Sequence, residues 1–168
     1  MVPITKPLDK QHKRDGFLCG EETLDRYIKQ YASQDVKRGA AAVFVYTDAD
    51  DTDDSVVLGY YTLSALSVKT KDVSAALRKR LARYEQQPAT LIGRLAVDSS
   101  QQGKGLGEAL LMDALYRSVL NSATVASAAV VVDALNENAS KFYQRYGFVE
   151  LPDTNRLVIG MRNVAKLF

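Results

Sequence analysis

Residues 94–111 read RLAVDSSQQGKGLGEALL. An apolar run ends at Val97, a polar turn follows, and glycines occupy positions 103, 105 and 107. From Leu106 onward the apolar residues recur at helical spacing. A strand is therefore handed over to a helix through a glycine-rich turn. Glycine lets the backbone take dihedrals closed to other residues and approach a ligand closely. The first turn of a helix presents unpaired N–H groups and the positive end of its dipole. Together these make an anion site, most naturally one for a pyrophosphate. Gln102 would add a side-chain donor and Lys104 a charge. Spacing excludes two other phosphate motifs. No G-x-x-x-x-G-K-[ST] string occurs, and the alternation G-x-G-x-G departs from the dinucleotide fingerprint G-x-G-x-x-G.

Working outward, ATLIGRLAV (89–97) is the strand that enters the turn. The helix that leaves it runs to about residue 120 and buries Leu106, Leu110, Ala114 and Leu115. VASAAVVVDA (125–134) is a near-continuous apolar strand, as expected where both faces are covered. A helix crossing between these two strands makes them parallel. NENASKFYQRY is a short helix that stops at Gly147, and FVEL and RLVIGM are closing strands. Upstream, LDRYIKQYASQDV sets Leu24, Ile28, Tyr31 and Ala32 on one face of an amphipathic helix over about 22–37. AAAVFVY and VVLGYYTLSALSV read as a hairpin around the acidic loop DADDTDD (48–54). SAALRKRLARY reads as a further helix, with Ala76, Leu77 and Leu81 inward and its bases outward. The fold class is α/β with a mixed sheet.

The length fits one domain over residues 1–168 with a core that needs no staples. Cys19 is the single cysteine, which excludes an internal disulfide and fits a reducing compartment. No signal-peptide pattern and no apolar run of membrane-spanning length occur, so the expected location is cytoplasmic, with no membrane partner. The net charge of +2 says little, but setting aside the five acids of 48–54 leaves +7 on the rest. Bases gather at VKRG (36–39), at RKRLAR (78–83) and at Arg94. They are either solvated faces or a surface for a phosphate-rich partner. No metal-ligand spacing occurs.

QGKGLG (102–107) resembles the acetyl-CoA signature of GNAT N-acetyltransferases, [QR]-x-x-G-x-[GA], with Gln102, Gly105 and Gly107 at its fixed positions. NENASKFYQRYGF (136–148) resembles the family's next segment, with Asn136, Ala139, Tyr143, Gly147 and Phe148 in place. The resemblance implies the GNAT fold, a central mixed sheet of about six to seven strands flanked by about four helices. It implies acetyl-CoA as cosubstrate and no metal. The pyrophosphate would lie on the turn formed by Gln102, Gly103, Lys104, Gly105, Leu106 and Gly107. Pantetheine would run along Leu95, Ala96 and Val97 like an added strand, which its two amides make reasonable. Asn136 would bind the cofactor arm or hold the strands apart. Tyr143 would be the general acid toward the leaving thiolate, while Phe142 and Tyr146 belong to the core.

No general base stands out. His12 lies far from the motifs, Cys19 has no partner in the pattern, and Ser64 and Ser67 have no triad around them. A lysine amine is only about 0.1% neutral near physiological pH, against roughly a quarter for an α-amine, so a site without a strong base suits an α-amine. FLCGEETLDRYIKQYASQD, VLGYYTLSA, IGRLAVD and KFYQRYGF together resemble one GNAT subgroup, the acetyltransferase toxins of bacterial toxin–antitoxin modules. That resemblance implies acetylation of the α-amine of aminoacyl-tRNA, which blocks translation. It also implies a homodimer, a ribbon-helix-helix antitoxin, and operator DNA bound only through the antitoxin complex. Lys37 and Arg38, the four bases Arg78, Lys79, Arg80 and Arg83 on one helix, and Arg94 would hold the tRNA backbone. Two other readings stay open: a GNAT enzyme for a small amine or a protein N-terminus, and a non-enzymatic acyl-CoA-binding regulator.

Overall fold

The structure, a computed structural model, describes residues 1–48, 50 and 53–168. Of the acidic loop, Ala49, Asp51 and Thr52 lie outside the described residues. In chain order the elements are β1 (Lys6–Pro7), α1 (Glu22–Arg26), a π turn (Tyr27–Tyr31), α2 (Ala32–Lys37), β2 (Ala42–Tyr46) and β3 (Gly59–Lys69). Then come α3 (Ala75–Arg78), β4 (Gln86–Val97), α4 (Leu106–Ser122), β5 (Ala129–Asp133) and α5 (Glu137–Gln144). The chain closes with β6 (Val149–Glu150), β7 (Arg156–Gly160) and α6 (Met161–Ala165). The strands form one mixed sheet in the order β1-β2-β3-β4-β5-β7-β6. Two compact units are resolved, Val2–Ser64 with Arg94–Ala114 and Ala65–Gly93 with Leu115–Phe168.

In the first unit, β2 and β3 form the expected antiparallel hairpin, in register from Ala42↔Leu63 to Tyr46↔Gly59. Side chains alternate across the pleat. Val43, Val45 and Tyr60 join Phe17, Tyr27, Ile28, Ala32 and Ala96 in one core. Tyr61 belongs to another environment, where its hydroxyl donates to the buried Asp113 of α4 at 2.6 Å. At Gly59 a Cβ would stand 2.8 Å from Leu110 Cδ1, so a larger residue there would force that buried side chain to move. The amphipathic helix expected over 22–37 is present, but the π turn breaks it. An extra residue in that turn rotates the face. Tyr27 is therefore buried and Tyr31, expected inward, is exposed.

In the second unit, β5 pairs parallel with β4 from Ala89↔Ala129 to Ile92↔Val132, as the crossover requires. It pairs antiparallel with β7, which pairs with β6. Val68, Val73, Ala89, Ala129, Val131, Leu151 and Val158 form the core. The strand expected over 125–134 is shorter, because residues before Ala129 serve as the connection. Ala128 N donates to Pro88 O, and the Ser127 hydroxyl is shared with Thr90.

SAALRKRLARY is helical only over Ala75–Arg78, and Ala76, expected inward, is exposed. Ser74 caps the start through Leu77 N at 3.3 Å. The chain then tightens, with Arg80 N bonding to Leu77 O and Leu81 N to Arg78 O. Arg78, Lys79, Arg80 and Arg83 have no acid one turn away to offset their repulsion. Leu77 and Leu81 still reach the core from this looser path.

Candidate active site

β4 outruns its parallel partner. Pairing with β5 ends at Ile92, yet β4 continues to Val97. Among the described residues, the last five of β4 have no ladder partner on that side. Leu95, Ala96 and Val97 lie on this stretch. An edge of this kind offers alternating N–H and C=O groups to an extended arm that carries amides.

The glycine turn follows directly. Gly103 and Gly105 have φ of +78° and +84°, a region that disfavours any side chain, and no atom lies within 4 Å of where a Cβ would stand. Gly107 is different: it lies inside α4 with only Val97 Cγ2 nearby, at 3.8 Å. The first helical bond is Ala109 N to Gly105 O. The N–H groups of Leu106, Gly107 and Glu108 therefore have no carbonyl one turn back. Lys104 is exposed beside them. An open floor of backbone donors at the start of a 17-residue helix fits a pyrophosphate, and the β4 edge fits pantetheine.

Gln102 does not act as the free donor expected of it. Its Nε2 donates to Cys19 O at 2.8 Å and to Val97 O at 3.0 Å. Leu18 N donates to Asp98 Oδ1 at 2.9 Å, and Ser99 N to Leu18 O at 2.8 Å. Cys19 N is held in turn by the buried Asp25 at 2.8 Å. The segment at 18–19 is thus stitched along residues 97–102, and the Val97 carbonyl is already engaged. Burial raises the Asp98 carboxyl, but hydrogen bonds from Ser100 and Leu18 outweigh it and hold the group below its usual range. Asp98 was not singled out from sequence, although the string DSS is an Asx-turn signal.

In the second unit, Tyr143 lies on α5. Asn136 caps that helix, accepting from Ala139 N at 2.9 Å. This fixes the helix start. Ser140 Oγ and Gln144 Nε2 both donate to Glu150 Oε1, at 2.9 and 3.0 Å, and clamp α5 to β6. Gly147, at φ +95°, ends the helix as expected. Tyr143 packs edge-on against Phe148. Its ring is buried. Burial, then the nearby Asp133 charge, pushes the phenol far above its ordinary range, so the group stays protonated at any physiological pH. Among the described residues its hydroxyl has no hydrogen-bond partner, and no fully buried polar side-chain atom is left unsatisfied. The hydroxyl is therefore not completely enclosed.

The remaining candidates fall into place as follows. Burial and a hydrogen bond to Asp25 push the Cys19 thiol up to about 11, which removes it as a nucleophile. His12 Nδ1 accepts from Asp9 N at 3.0 Å, a loop contact. Ser67 is exposed on β3 and Ser64 half-buried. Lys37 and Arg38 are exposed at the end of α2. The four bases expected on one helix do not share it. Arg78 Nη2 donates to Val73 O at 2.8 Å. Lys79 and Arg83 line a cavity of about 570 Å³ with Thr70, and Arg80 lines others. Arg94, half-buried on β4, rests 3.6 Å from the centre of the Tyr27 ring. Asp113 was missed from sequence, although an acid between Leu110 and Ala114 on the buried face of α4 is itself a signal. No group of residues that could hold a metal ion exists among the described residues.

Residues 10–165 match the family described as Acetyltransferase (GNAT) domain. The chain belongs to the GNAT acetyltransferase family. It is 33% identical over 152 residues to a tRNA-acetylating toxin of Mycobacterium tuberculosis (strain ATCC 25618 / H37Rv), covering 90% of this chain and 87% of that one. The solved structure of AtaT complexed with acetyl-methionyl-tRNAfMet is similar at 28% identity and a TM-score of 0.88, covering 98% of each chain. A variant of the AtaT toxin bound to the C-terminus of the antitoxin AtaR and acetyl-CoA is similar at 26% identity and a TM-score of 0.81, covering 98% of this chain and 96% of that one. This GNAT member carries both family segments, 102–107 and 136–148, intact.

Proposed function

We propose that this GNAT acetyltransferase is a toxin that transfers acetyl from acetyl-CoA to the α-amine of aminoacyl-tRNA and so removes it from peptide-bond formation. The observation that carries the tRNA half of the reading is the likeness, over nearly the whole chain, to proteins named or solved as acting on tRNA. The residues fit the chemistry. The amides that follow Gly103 and Gly105 hold the pyrophosphate, and the β4 edge from Leu95 to Val97 aligns the arm. Acetyl-CoA supplies an acetyl group activated as a thioester. Tyr143, kept neutral by its surroundings, donates a hydrogen bond to the sulfur as charge develops there. Among the described residues no side chain presents itself as a strong base. An α-amine, a substantial fraction of which is neutral near pH 7.5, needs none.

The same likeness supports neutralisation by an antitoxin, here proposed to be of the ribbon-helix-helix type, with operator DNA bound only through the toxin–antitoxin pair. A homodimer, a single catalytic domain over 1–168 and a cytoplasmic site of action, where charged tRNA is found, complete the proposal. Lys37, Arg38, Lys79, Arg80, Arg83 and Arg94 are the bases offered to the tRNA backbone. Arg78, already committed to Val73 O, contributes charge alone.

The test is incubation of the purified protein with labelled acetyl-CoA and total charged bacterial tRNA, beside Tyr143→Phe. Label should appear on aminoacyl-tRNA with the wild type and fall steeply with the variant. If tRNA stays unlabelled while acetyl-CoA binds and a small amine or a peptide N-terminus is acetylated, the toxin reading is wrong and the enzyme acts on those amines.

A further inference from the structure

Arg94 differs from Arg14 and Arg26 of its unit, and from Arg38, which is exposed. Arg14 donates to Ile28 O and Ser33 Oγ, and Arg26 pairs with Glu22. Arg94 is half-buried, yet among the described residues it has no carboxylate within ion-pair distance and no hydrogen-bond acceptor. What holds it is the Tyr27 ring, whose centre is 3.6 Å from the guanidinium carbon. At that distance the guanidinium rests in cation–π contact with the ring, which leaves its N–H donors available to another acceptor. The platform is rigid. Tyr27 OH donates to Asp35 at 2.8 Å, the ring stacks on Tyr60 at 6.2 Å, and Tyr60 OH donates to Leu24 O at 2.7 Å. A pre-oriented, charged, partly desolvated fork with its donors unused is suited to a planar or tetrahedral oxyanion.

The position in the strand decides which oxyanion. The glycine turn follows Val97, and Arg94 lies three residues before it. An arm that starts on the turn and runs back along β4 brings its far end, not its phosphates, to Arg94. The anion therefore belongs to the acceptor. In aminoacyl-tRNA the amino acid carboxyl is esterified, so the negative charge nearest the α-amine is the phosphodiester of the terminal nucleotide. We propose that Arg94, stacked on Tyr27, binds the phosphate of the acceptor's terminal nucleotide and selects a nucleotide-linked amine over a free amino acid. This rests on the tRNA reading above.

The experiment uses the full chain, saturated with coenzyme A, and calorimetry with stable amide analogues of 3′-aminoacyl-adenosine. One analogue carries a 5′-phosphate and the other does not, and the free amino acid is the third probe. The wild type should bind the phosphorylated analogue about tenfold more tightly than the other. Arg94→Gln should lose that preference while keeping the wild-type affinity for acetyl-CoA, and Arg94→Lys should keep part of it, since charge survives and the fork does not. Equal binding of the two analogues by the wild type, or an undiminished preference in Arg94→Gln, overturns the proposal. So does tighter binding of the free amino acid, which would give the guanidinium to a carboxylate. Each of these outcomes leaves the tRNA reading standing if the wild type acetylates charged tRNA. If it does not, that reading fails by its own assay.

Discussion

Gln102 Nε2 lies 2.8 Å from the carbonyl oxygen of Cys19, across 83 residues of sequence, and 3.0 Å from that of Val97. One side chain thus ties the segment before α1 to the strand end and to the turn proposed to carry the cofactor phosphates. Gln102→Leu keeps the volume and removes both donors, leaving two carbonyls underserved. The expected cost is about 1–3 kcal/mol of stability and a weaker grip on acetyl-CoA, because the turn loses its brace. Gln102→Arg has a planar fork that can reach both carbonyls and should recover most of the affinity. Calorimetric titration of both variants is the check. Equal affinity in Gln102→Leu and the wild type would make the stitch irrelevant to the cofactor.

The same stitch predicts a pH effect. The Asp98 carboxyl is held below its usual range in the fold. A depressed acid contributes stability that is fully present above the unfolded value of ~3.9 and is lost as pH falls through the folded value. Protection of the Leu18 and Ser100 amides from hydrogen exchange should therefore persist at pH 5 and decline only below about pH 4. Asp98→Asn should show weaker protection at pH 5 and little further dependence on acid. Decline of both proteins in parallel would assign the effect to global unfolding.

Two glycines should fail in different ways. At Gly105, φ of +84° makes an alanine strained by about 1 kcal/mol, but the space is open. Gly105→Ala should fold, melt a few degrees lower, and bind acetyl-CoA more than tenfold more weakly, because the methyl occupies the approach to the amides. At Gly59 the methyl would stand 2.8 Å from Leu110 Cδ1. Gly59→Ala should cost about 1–3 kcal/mol through overpacking, with its losses in binding tracking its loss of fold. Thermal melts beside titrations separate the two cases.

Asp113 is fully buried and accepts from Ile4 N at 2.7 Å, Thr5 Oγ1 at 2.5 Å and Tyr61 OH at 2.6 Å. It fastens the N-terminal strand to α4. Asp113→Ala would leave three donors without this acceptor, at about 3 kcal/mol or more. Proteolysis should then release the first residues well before the core unfolds. Thr5→Val removes one donor and should cost about 1 kcal/mol. An Asp113→Ala protein as protease-resistant as the wild type would show that the strand is fastened elsewhere.

The stretch 94–111 was legible because its rules are local: strand residues, a turn that only glycine makes, then helical spacing. The parallel pairing of β4 with β5 followed from the same reading, because a helix long enough to cross the sheet lies between them. Tyr31 and Ala76 were misplaced for tertiary reasons. A π turn adds a residue without altering the polar pattern, and the base run 78–83 keeps apolar spacing while its charges prevent a regular helix. Gln102 and Asn136 were found by spacing, but their side chains face the protein's own backbone. Hydrogen-bond partners distant in sequence leave no periodic trace: the place of Asp113 on the buried face of α4 is legible, but its partners Ile4, Thr5 and Tyr61 are not.

Tyr143 gives the sharpest kinetic expectation. Its ring is buried and its phenol is held far above the ordinary range, by burial first and by the Asp133 charge second. For an acid whose pKa is raised in the fold, the neutral form persists as pH rises past ~10. Loss of the phenol's proton therefore imposes no downturn on the rate below pH 10. The limb on the acid side should follow the substrate's α-amine, with the rate rising toward pH ~8 as that amine loses its proton. Tyr143→Phe should lower kcat by about 10²-fold or more and leave both the acid limb and the affinity for acetyl-CoA unchanged, since the ring still packs on Phe148. Single-turnover acetylation measured from pH 6 to 10 is the check. A downturn near pH 9 that vanishes in Tyr143→Phe would mean that the phenol titrates within range, and that in the working enzyme burial and the Asp133 charge no longer hold its proton.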